Sequence, residues 1–321
     1  MGRYIGKRLL LMIPVIIGIT FIVFTILEFT PGDPVKIMLG SQATEEAVDA
    51  RREELGLNDP FLVRYFRFLG NAARGDLGRT YVGNHSVAES IFSRLPVTIL
   101  LAMLSVAFAV MIGIPIGILS ATKQYSLVDV LSMLFAMIAS AIPAFWLGLM
   151  LIMLFSVRWD LFPSFGISQG LTSFILPSVT LSIAYSAQII RLTRSTMLEV
   201  IRQDYIRTAR AKGATQSQII RRHALKNAMI PVVTVVGLYF GAMLGGAVII
   251  ESVFALPGVG TLLINSINGK DIPAVLGCVT ILAIMFSLVN LLVDIVYASL
   301  DPRIKAQYRS AGKMKKARTG A

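Results

Sequence analysis

Six stretches of the chain are apolar almost without interruption, at about 9–29, 97–120, 127–156, 174–192, 228–250 and 274–299, with polar segments between them. A bilayer core about 30 Å thick takes around 20 helical residues at 1.5 Å each. Each stretch therefore predicts a membrane-crossing helix, and together they predict an all-α integral membrane protein with six transmembrane helices. The fourth stretch is the most diluted, by Ser178, Ser182, Ser186 and Gln188. The third holds Pro143, which predicts a tilt or kink there. The first follows Arg3, Lys7 and Arg8 as a secretory leader would, but its apolar run is too long and no small-x-small cleavage site follows. Thr30-Pro31-Gly32-Asp33-Pro34 ends the helix, and an uncleaved membrane helix is expected.

Charge orients these helices. The polar segment 30–95 is balanced, with eight basic and nine acidic residues, whereas segment 191–227 has nine basic residues against Glu199 and Asp204 alone. Residues 301–321 add seven basic residues. Lys and Arg accumulate on the cytoplasmic side of membrane proteins. Both termini and segment 191–227 are therefore expected inside, and residues 31–95 outside. The resulting organisation is an N-terminal transmembrane helix over 1–30, an extracytoplasmic segment over 31–95, a five-helix core over 96–300 and a basic tail over 301–321. The composition agrees with lipid as solvent. Of 321 residues 55% are hydrophobic and 15% charged, against about 45–50% and 25% in soluble domains. The net charge of +12 reads as a topology signal, and no nucleic-acid partner is expected.

Catalytic chemistry is not expected. There is no Gly-x-x-x-x-Gly-Lys-Ser/Thr phosphate loop and no Gly-x-Ser-x-Gly elbow, and the two histidines, His85 and His223, lie in polar segments. No cofactor or metal is expected, and the lone Cys278 lies in an apolar run. Ion-coupled carriers bury ionisable groups at the membrane midplane. Here Glu28, Glu251 and Asp129 lie near helix ends, and only Asp294, one turn after Asn290, lies well inside an apolar run. Energy is expected to come from another subunit, with a secondary carrier as the rival reading.

Segment 191–227 is too patterned for a connector. Tyr205-Ile206-Arg207-Thr208-Ala209-Arg210-Ala211-Lys212 holds good helix formers, Gly213 punctuates it, and a second helical stretch runs from Ala214 or Thr215 through Gln218 and His223 to Leu225. The expected shape is two short helices below the membrane, meeting at Gly213. This stretch, with His223-Ala224-Leu225-Lys226-Asn227-Ala228 and Pro231, resembles the cytoplasmic loop of permease subunits of ATP-driven (ABC) importers, closest to the oligopeptide/dipeptide branch that includes nickel and glutathione permeases. The wider family's Glu-Ala-Ala-x-x-x-Gly falls here on Arg207, Thr208, Ala209 and Gly213, without the Glu. The likeness extends through Pro31-Gly32-Asp33-Pro34, Leu55-Gly56-Leu57 with Pro60, Gly75-Asp76-Leu77-Gly78, Pro257-Gly258-Val259-Gly260, Asp271 with Pro273, Asn290 to Asp294, and Asp301-Pro302-Arg303.

The resemblance implies a type I ABC importer permease fold in a bacterial inner membrane, forming half of a translocation path for dipeptides or oligopeptides, with nickel or glutathione as alternatives. It implies as partners a second homologous permease subunit, two ATP-binding subunits that hold the ATP and Mg, and an extracytoplasmic substrate-binding protein. The loop 193–227 would couple to the ATPase through Tyr205, Arg207, Thr208, Ala209, Ala211, Lys212, Gly213, Ala214, Gln218 and His223. Two further groups stand out. Gly237, Gly241 and Gly245, spaced by four, suit close helix packing or a pathway wall. Asn290 and Asp294 suit a buried hydrogen-bonded pair or a polar patch at the inner mouth. In the outer segment, Glu45 to Leu55 and Phe61 to Leu69 are expected to be helical, broken at Asp59-Pro60.

Overall fold

The computed structural model of the chain describes residues 2–40 and 43–300, and the basic tail 301–321, with Asp301-Pro302-Arg303, lies outside the described residues. Among these residues there is no β-sheet, only one isolated bridge between Arg79 and Ser86. Helix α1 (Gly2–Phe29) is followed by the shorter α2 (Pro34–Leu39), α3 (Glu45–Glu54), α4 (Phe61–Ala72) and α5 (Val87–Phe92). The last two long ones of these occupy the stretches expected to be helical, with Thr44 Oγ1 capping α3 through the Ala47 N–H at 3.4 Å. Then come α6 (Leu95–Thr122), α7 (Leu127–Ala141) and α8 (Ala144–Leu151), which passes into π-helical turns at Ile152–Arg158. A 3-10 turn at Gly170–Phe174 leads to α9 (Ile175–Ile201), α10 (Asp204–Ala211), the single turn α11 (Gln216–Gln218) and π-helical turns at Ile219–Ala224. Helices α12 (Leu225–Val253), α13 (Val259–Asn268) and α14 (Ile272–Leu300) complete the fold.

Among the described residues, five stretches are long and apolar enough to cross a membrane unaided: Arg8–Phe29, Val87–Thr122, Gly170–Ile201, Gln216–Val253 and Ile272–Val296. The sixth differs from the single kinked helix expected over 127–156. Helices α7 and α8 are bent by 101° at a break between Ala141 and Ala144. Proline pushes its predecessor out of the helical region and brings no N–H of its own. Ile142 is accordingly extended, at φ −77° and ψ 126°.

Contacts divide the chain into two compact units. The first comprises Met1–Ala102, Gly148–Pro177 and Leu244–Ser287. Its α1 and α4 are joined by aromatic rings, with Phe21 and Phe24 against Phe61 and Tyr65, and Tyr65 Oη donates to the Ile17 carbonyl at 2.7 Å. Leu77, Val87, Ile91, Val259, Ala274 and Cys278 form its core. Fully buried Glu251 organises the turn after α12. It accepts Thr98 Oγ1 at 2.6 Å and the N–H groups of Gly260 and Thr261 at 2.7 and 3.1 Å, while Thr98 Oγ1 accepts the Val259 N–H at 2.9 Å. This explains the Pro257-Gly258-Val259-Gly260 motif, because a Cβ at Gly258 would run into the Glu251 carboxylate and one at Gly260 into the Val248 backbone. Asp271 caps α14 at the Ala274 N–H (3.2 Å) and also accepts the Tyr81 N–H (2.8 Å), in a site where burial pushes its carboxyl pKa up.

Of the described residues, the second unit comprises Met103–Leu147, Ser178–Met243 and 288–300. Helix α9 is its axis. The span containing α9 is 67% buried in its most apolar part, against 11% for α1. The serines that dilute this stretch thus face protein rather than lipid, with Ser178, Ser182 and Ser186 all fully buried. Gln188 accepts the Tyr239 hydroxyl at 2.7 Å. Gly113 and Gly117 of α6 let the two backbones approach. A Cβ on Gly113 would meet Ile189 at 2.6 Å, and one on Gly117 would meet Thr193 at 2.6 Å and the Ile190 carbonyl at 2.9 Å.

At the start of α7, Asp129 is buried and takes a bidentate pair from Arg194 of α9, Nε to Oδ1 at 2.6 Å and the second guanidinium nitrogen to Oδ2 at 2.8 Å. It also accepts Ser120 Oγ at 2.5 Å and the N–H of Tyr125 at 3.0 Å. Tyr125 has φ +63°, so the carboxylate fixes a left-handed residue in the α6–α7 turn. Removing one partner of a buried ion pair costs about 3–5 kcal/mol because the other charge stays unpaired. Asp129→Ala is expected to lower the unfolding free energy of the detergent-solubilised chain by about 3 kcal/mol, and Ser120→Ala by about 1 kcal/mol. Equal, small shifts in both would rule out this role for the pair.

Candidate functional site

Helix α10 sits between two membrane-length helices, and its main anchor is one buried residue. Ile206 is fully buried in a cluster with Ala121, Met197, Ile219, Ala224 and Ala228. Around it Tyr205, Arg207, Thr208, Ala211, Lys212 and Gly213 are exposed, and Ala209 is half-buried. Tyr205 Oη accepts from Asn227 Nδ2 at 2.9 Å, which ties the start of α10 to α12.

The end of α10 is built by its sequence. The Gly213 N–H donates to the Arg210 carbonyl at 3.0 Å and the Ala214 N–H to the Ala209 carbonyl at 3.2 Å, the paired bonds of a Schellman motif. Gly213 has φ +84° and a Cβ there would meet nothing within 4 Å. Glycine is needed for its backbone conformation, not for space. Two residues later Thr215 and Gln218 form a capping box, Thr215 Oγ1 taking the Gln218 N–H and Gln218 Oε1 taking the Thr215 N–H at 2.9 Å.

The second of the two expected short helices is not separate. From Gln216 the chain is helical without a break to Val253, through the π-helical turns and α12. No glycine lies between Gln216 and Gly237. Pro231 falls in the second turn of α12, close to the point where the π-helical turns end, and the helix continues past it. Gln218 and His223 are exposed on this leading portion, and the His223 carbonyl accepts from Asn227 at 3.4 Å.

The remaining candidates lie on α12 and α14. A side chain on Gly237 would run into Val293 of α14, so this glycine serves packing within the chain. Gly241 is buried and Gly245 has open space around it. Steps of four residues turn about 40° beyond a full helical turn, so the three glycines do not keep one environment. Asn290 Oδ1 is buried without a hydrogen-bond partner, and Asp294 is half-buried one turn on.

Sequence reading missed the polar groups that brace this segment. Arg194 to Asp129 is one, and Arg202 to Gln124 Oε1 at 3.4 Å is another. Ser126 Oγ caps α7 at the Asp129 N–H, and nothing local to Asp129 announces a partner 65 residues away.

Residues 113–306 match the family described as binding-protein-dependent transport system inner membrane component. Residues 1–102 match the family described as binding-protein-dependent transport system membrane component, N-terminal. The chain is 41% identical over 332 residues to the dipeptide transport system permease protein DppB of Alkalihalophilus pseudofirmus, covering 95% of this chain and 100% of that protein. It is 41% identical over 315 residues to the oligopeptide transport system permease protein AppB of Bacillus subtilis, with coverage of 95% and 100%. It is 39% identical over 305 residues to the glutathione transport system permease protein GsiC of Escherichia coli, with coverage of 95% and 99%. Among solved structures, an inward-facing form of the MetNI methionine ABC transporter superposes with a TM-score of 0.54 at 22% identity, over 64% of this chain and 93% of that one. At that identity the likeness is one of fold, and the fold is that of an ABC importer permease.

A left-handed backbone costs an L-residue about 1–2 kcal/mol. Gly213→Ala is therefore expected to accelerate amide hydrogen exchange over residues 204–215 by about tenfold, and Gly213→Asn by less. Exchange in α12 beyond Pro231 should stay unchanged. Equal exchange in wild type and Gly213→Ala would contradict this account of the turn.

Proposed function

This chain belongs to the family of binding-protein-dependent transport system inner membrane components, and from that premise we propose that it forms half of the translocation path of an ATP-driven importer of dipeptides and oligopeptides. The observation that carries the mechanism is the self-capped helix α10, docked by Ile206 and leading through Gly213 into a helix unbroken from Gln216 to Val253. Helix α10 offers Tyr205, Arg207, Thr208 and Lys212 to a groove on the ATPase. Movement of the ATPase displaces α10, and the Thr215–Gln218 box delivers that displacement to a transmembrane helix with no slack loop between. A rigid element at a bistable bundle biases one arrangement over the other, the physical content of alternating access.

In this assembly the chain pairs with a second, homologous permease and with two ATPase subunits that hold ATP and Mg, and a substrate-binding protein delivers peptide from outside. The excess of Lys and Arg over 191–227 and 301–321 supports a cytoplasmic location for this segment and both termini. The relatives named for dipeptide, oligopeptide and glutathione transport support short peptides as the substrate class. Glutathione, itself a tripeptide, is the alternative within it.

Affinity-tagged chain isolated in mild detergent is expected to bring down an ATPase and a second permease, and Gly213→Trp to lose the ATPase while keeping the permease. In proteoliposomes of the assembled complex with its binding protein, uptake of a labelled dipeptide should require ATP and be competed by oligopeptide or glutathione according to the natural substrate. A chain isolated alone that transports without ATP overturns this reading in favour of a secondary carrier.

A further inference from the structure

Helix α9 has one face that its own chain leaves uncovered, and that face is polar. Ser186, Ala187, Ile190, Thr193 and Met197 are fully buried. Tyr185 and Gln188 are only half-buried, and Arg191 and Ser195 are exposed. At 100° per residue these four fall within about one third of the helix circumference. The side chains that α7 leaves exposed include Leu131, Phe135 and Ile138, which hydrocarbon suits. Hydrocarbon does not suit the face of α9, because polar side chains at membrane depth need protein or water against them.

Two other helices of the second unit flank this face. Tyr239 Oη of α12 donates to Gln188 Oε1 at 2.7 Å, and its ring centroid lies 5.2 Å from that of Tyr185. Arg191 Nη1 donates to the Ala136 carbonyl and to Ser140 Oγ of α7, each at 3.2 Å. In sequence Arg191 opens the basic segment 191–227, but α9 continues to Ile201. Ala136 lies about 14 Å along α7 from its first residue, Leu127. The guanidinium is thus held within the spanning length, not at its end. Both of its bonds use one nitrogen. Among the described residues Nε and Nη2 have no partner and no carboxylate pairs with Arg191. That free edge is a fork that takes a carboxylate through two parallel bonds. The Gln188 amide nitrogen is likewise unused among the described residues, since Tyr239 engages only its oxygen.

We propose that this face of α9 is the inner part of the pathway wall, where Arg191 receives the C-terminal carboxylate of a peptide in transit and Gln188 and Tyr185 meet its backbone amides. The inference rests on the importer reading above and assigns that path a substrate contact. A helix sealing this face would have to bring a carboxylate to Arg191, whereas a peptide carries its own. Peptides of different length and sequence share a terminal carboxylate and backbone amides, so a wall that reads only these groups passes them all. An arginine already held by a carbonyl and a hydroxyl is oriented for capture, and its single fork leaves release easy.

The test uses the assembled complex with its binding protein in proteoliposomes, supplied with a labelled dipeptide or with the same dipeptide amidated at its C-terminus. Arg191→Gln should slow uptake of the free acid about tenfold more than uptake of the amide. Arg191→Lys, which keeps the charge, should recover most of that discrimination. Variant and wild type draw on the same binding protein, so its own preference cancels in the comparison. Equal slowing of both peptides would leave Arg191 only the bracing of α7, overturning the inference while the importer reading stands. Wild-type uptake without ATP would overturn that reading and this inference with it. Thiol labelling of the complex in open membrane fragments decides the matter even where Arg191→Gln does not assemble, since the native Cys278 is buried. Gln188→Cys and Ser195→Cys should react with a water-soluble maleimide, and Ala187→Cys should not. A thiol at 188 as unreactive as one at 187 overturns the proposal.

Discussion

Hydrocarbon offers no hydrogen-bond partner, so every polar group carried into it must be met by the protein. That one constraint decides which helix lies where. A stretch holding Ser178, Ser182, Ser186 and Gln188 cannot face lipid as cheaply as α1 can, and α9 is accordingly enclosed while α1 is left largely open. Enclosure in turn needs close neighbours. Gly113 and Gly117 supply them by letting the α6 backbone approach Ile189 to Thr193 of α9.

The same constraint makes carboxylates the fasteners of the loops. Glu251 gathers two backbone N–H groups and a threonine hydroxyl, so a turn with glycines at 258 and 260 closes over it. Asp129 gathers a guanidinium, a serine hydroxyl and the N–H of a left-handed tyrosine. Asp271 holds the start of α14 and the N–H of Tyr81. In each case one carboxylate satisfies several donors, at least one of them from a segment distant in sequence.

This explains which parts of the molecule were legible in sequence. Span positions follow from runs of apolar residues, and the caps at Gly213 and Thr215 follow from local chemistry, because each is decided within a few residues. The break at Pro143 was visible but its size was not. A proline forbids the regular helix, yet packing decides whether the chain answers with a slight kink or a bend of 101°. The continuity from Gln216 to Val253 was misjudged because polar residues between a loop and a span look like a boundary. Water at one end and lipid at the other impose a change of composition on one helix without interrupting it. Arg194 with Asp129 was invisible because it joins elements whose proximity only the fold establishes.

The candidate coupling segment is light where it docks and stiff where it transmits. Helix α10 closes its own C-terminal carbonyls through the Schellman bonds at Gly213 and Ala214, and its N-terminal turn is open to water. Lifting it therefore strands few backbone groups. The loss is mainly the burial of Ile206, about 2 kcal/mol, and the Tyr205–Asn227 hydrogen bond, about 1 kcal/mol. A differential interaction of a few kcal/mol suffices to move a two-state equilibrium from one side to the other. The following helix, by contrast, is anchored at its base by Ile219, Ala224 and Ala228 in the cluster that receives Ile206. Displacement of α10 thus acts directly on the packing at the root of α12, where the π-helical turns 219–224 already leave the backbone bonds less regular than in the span beyond.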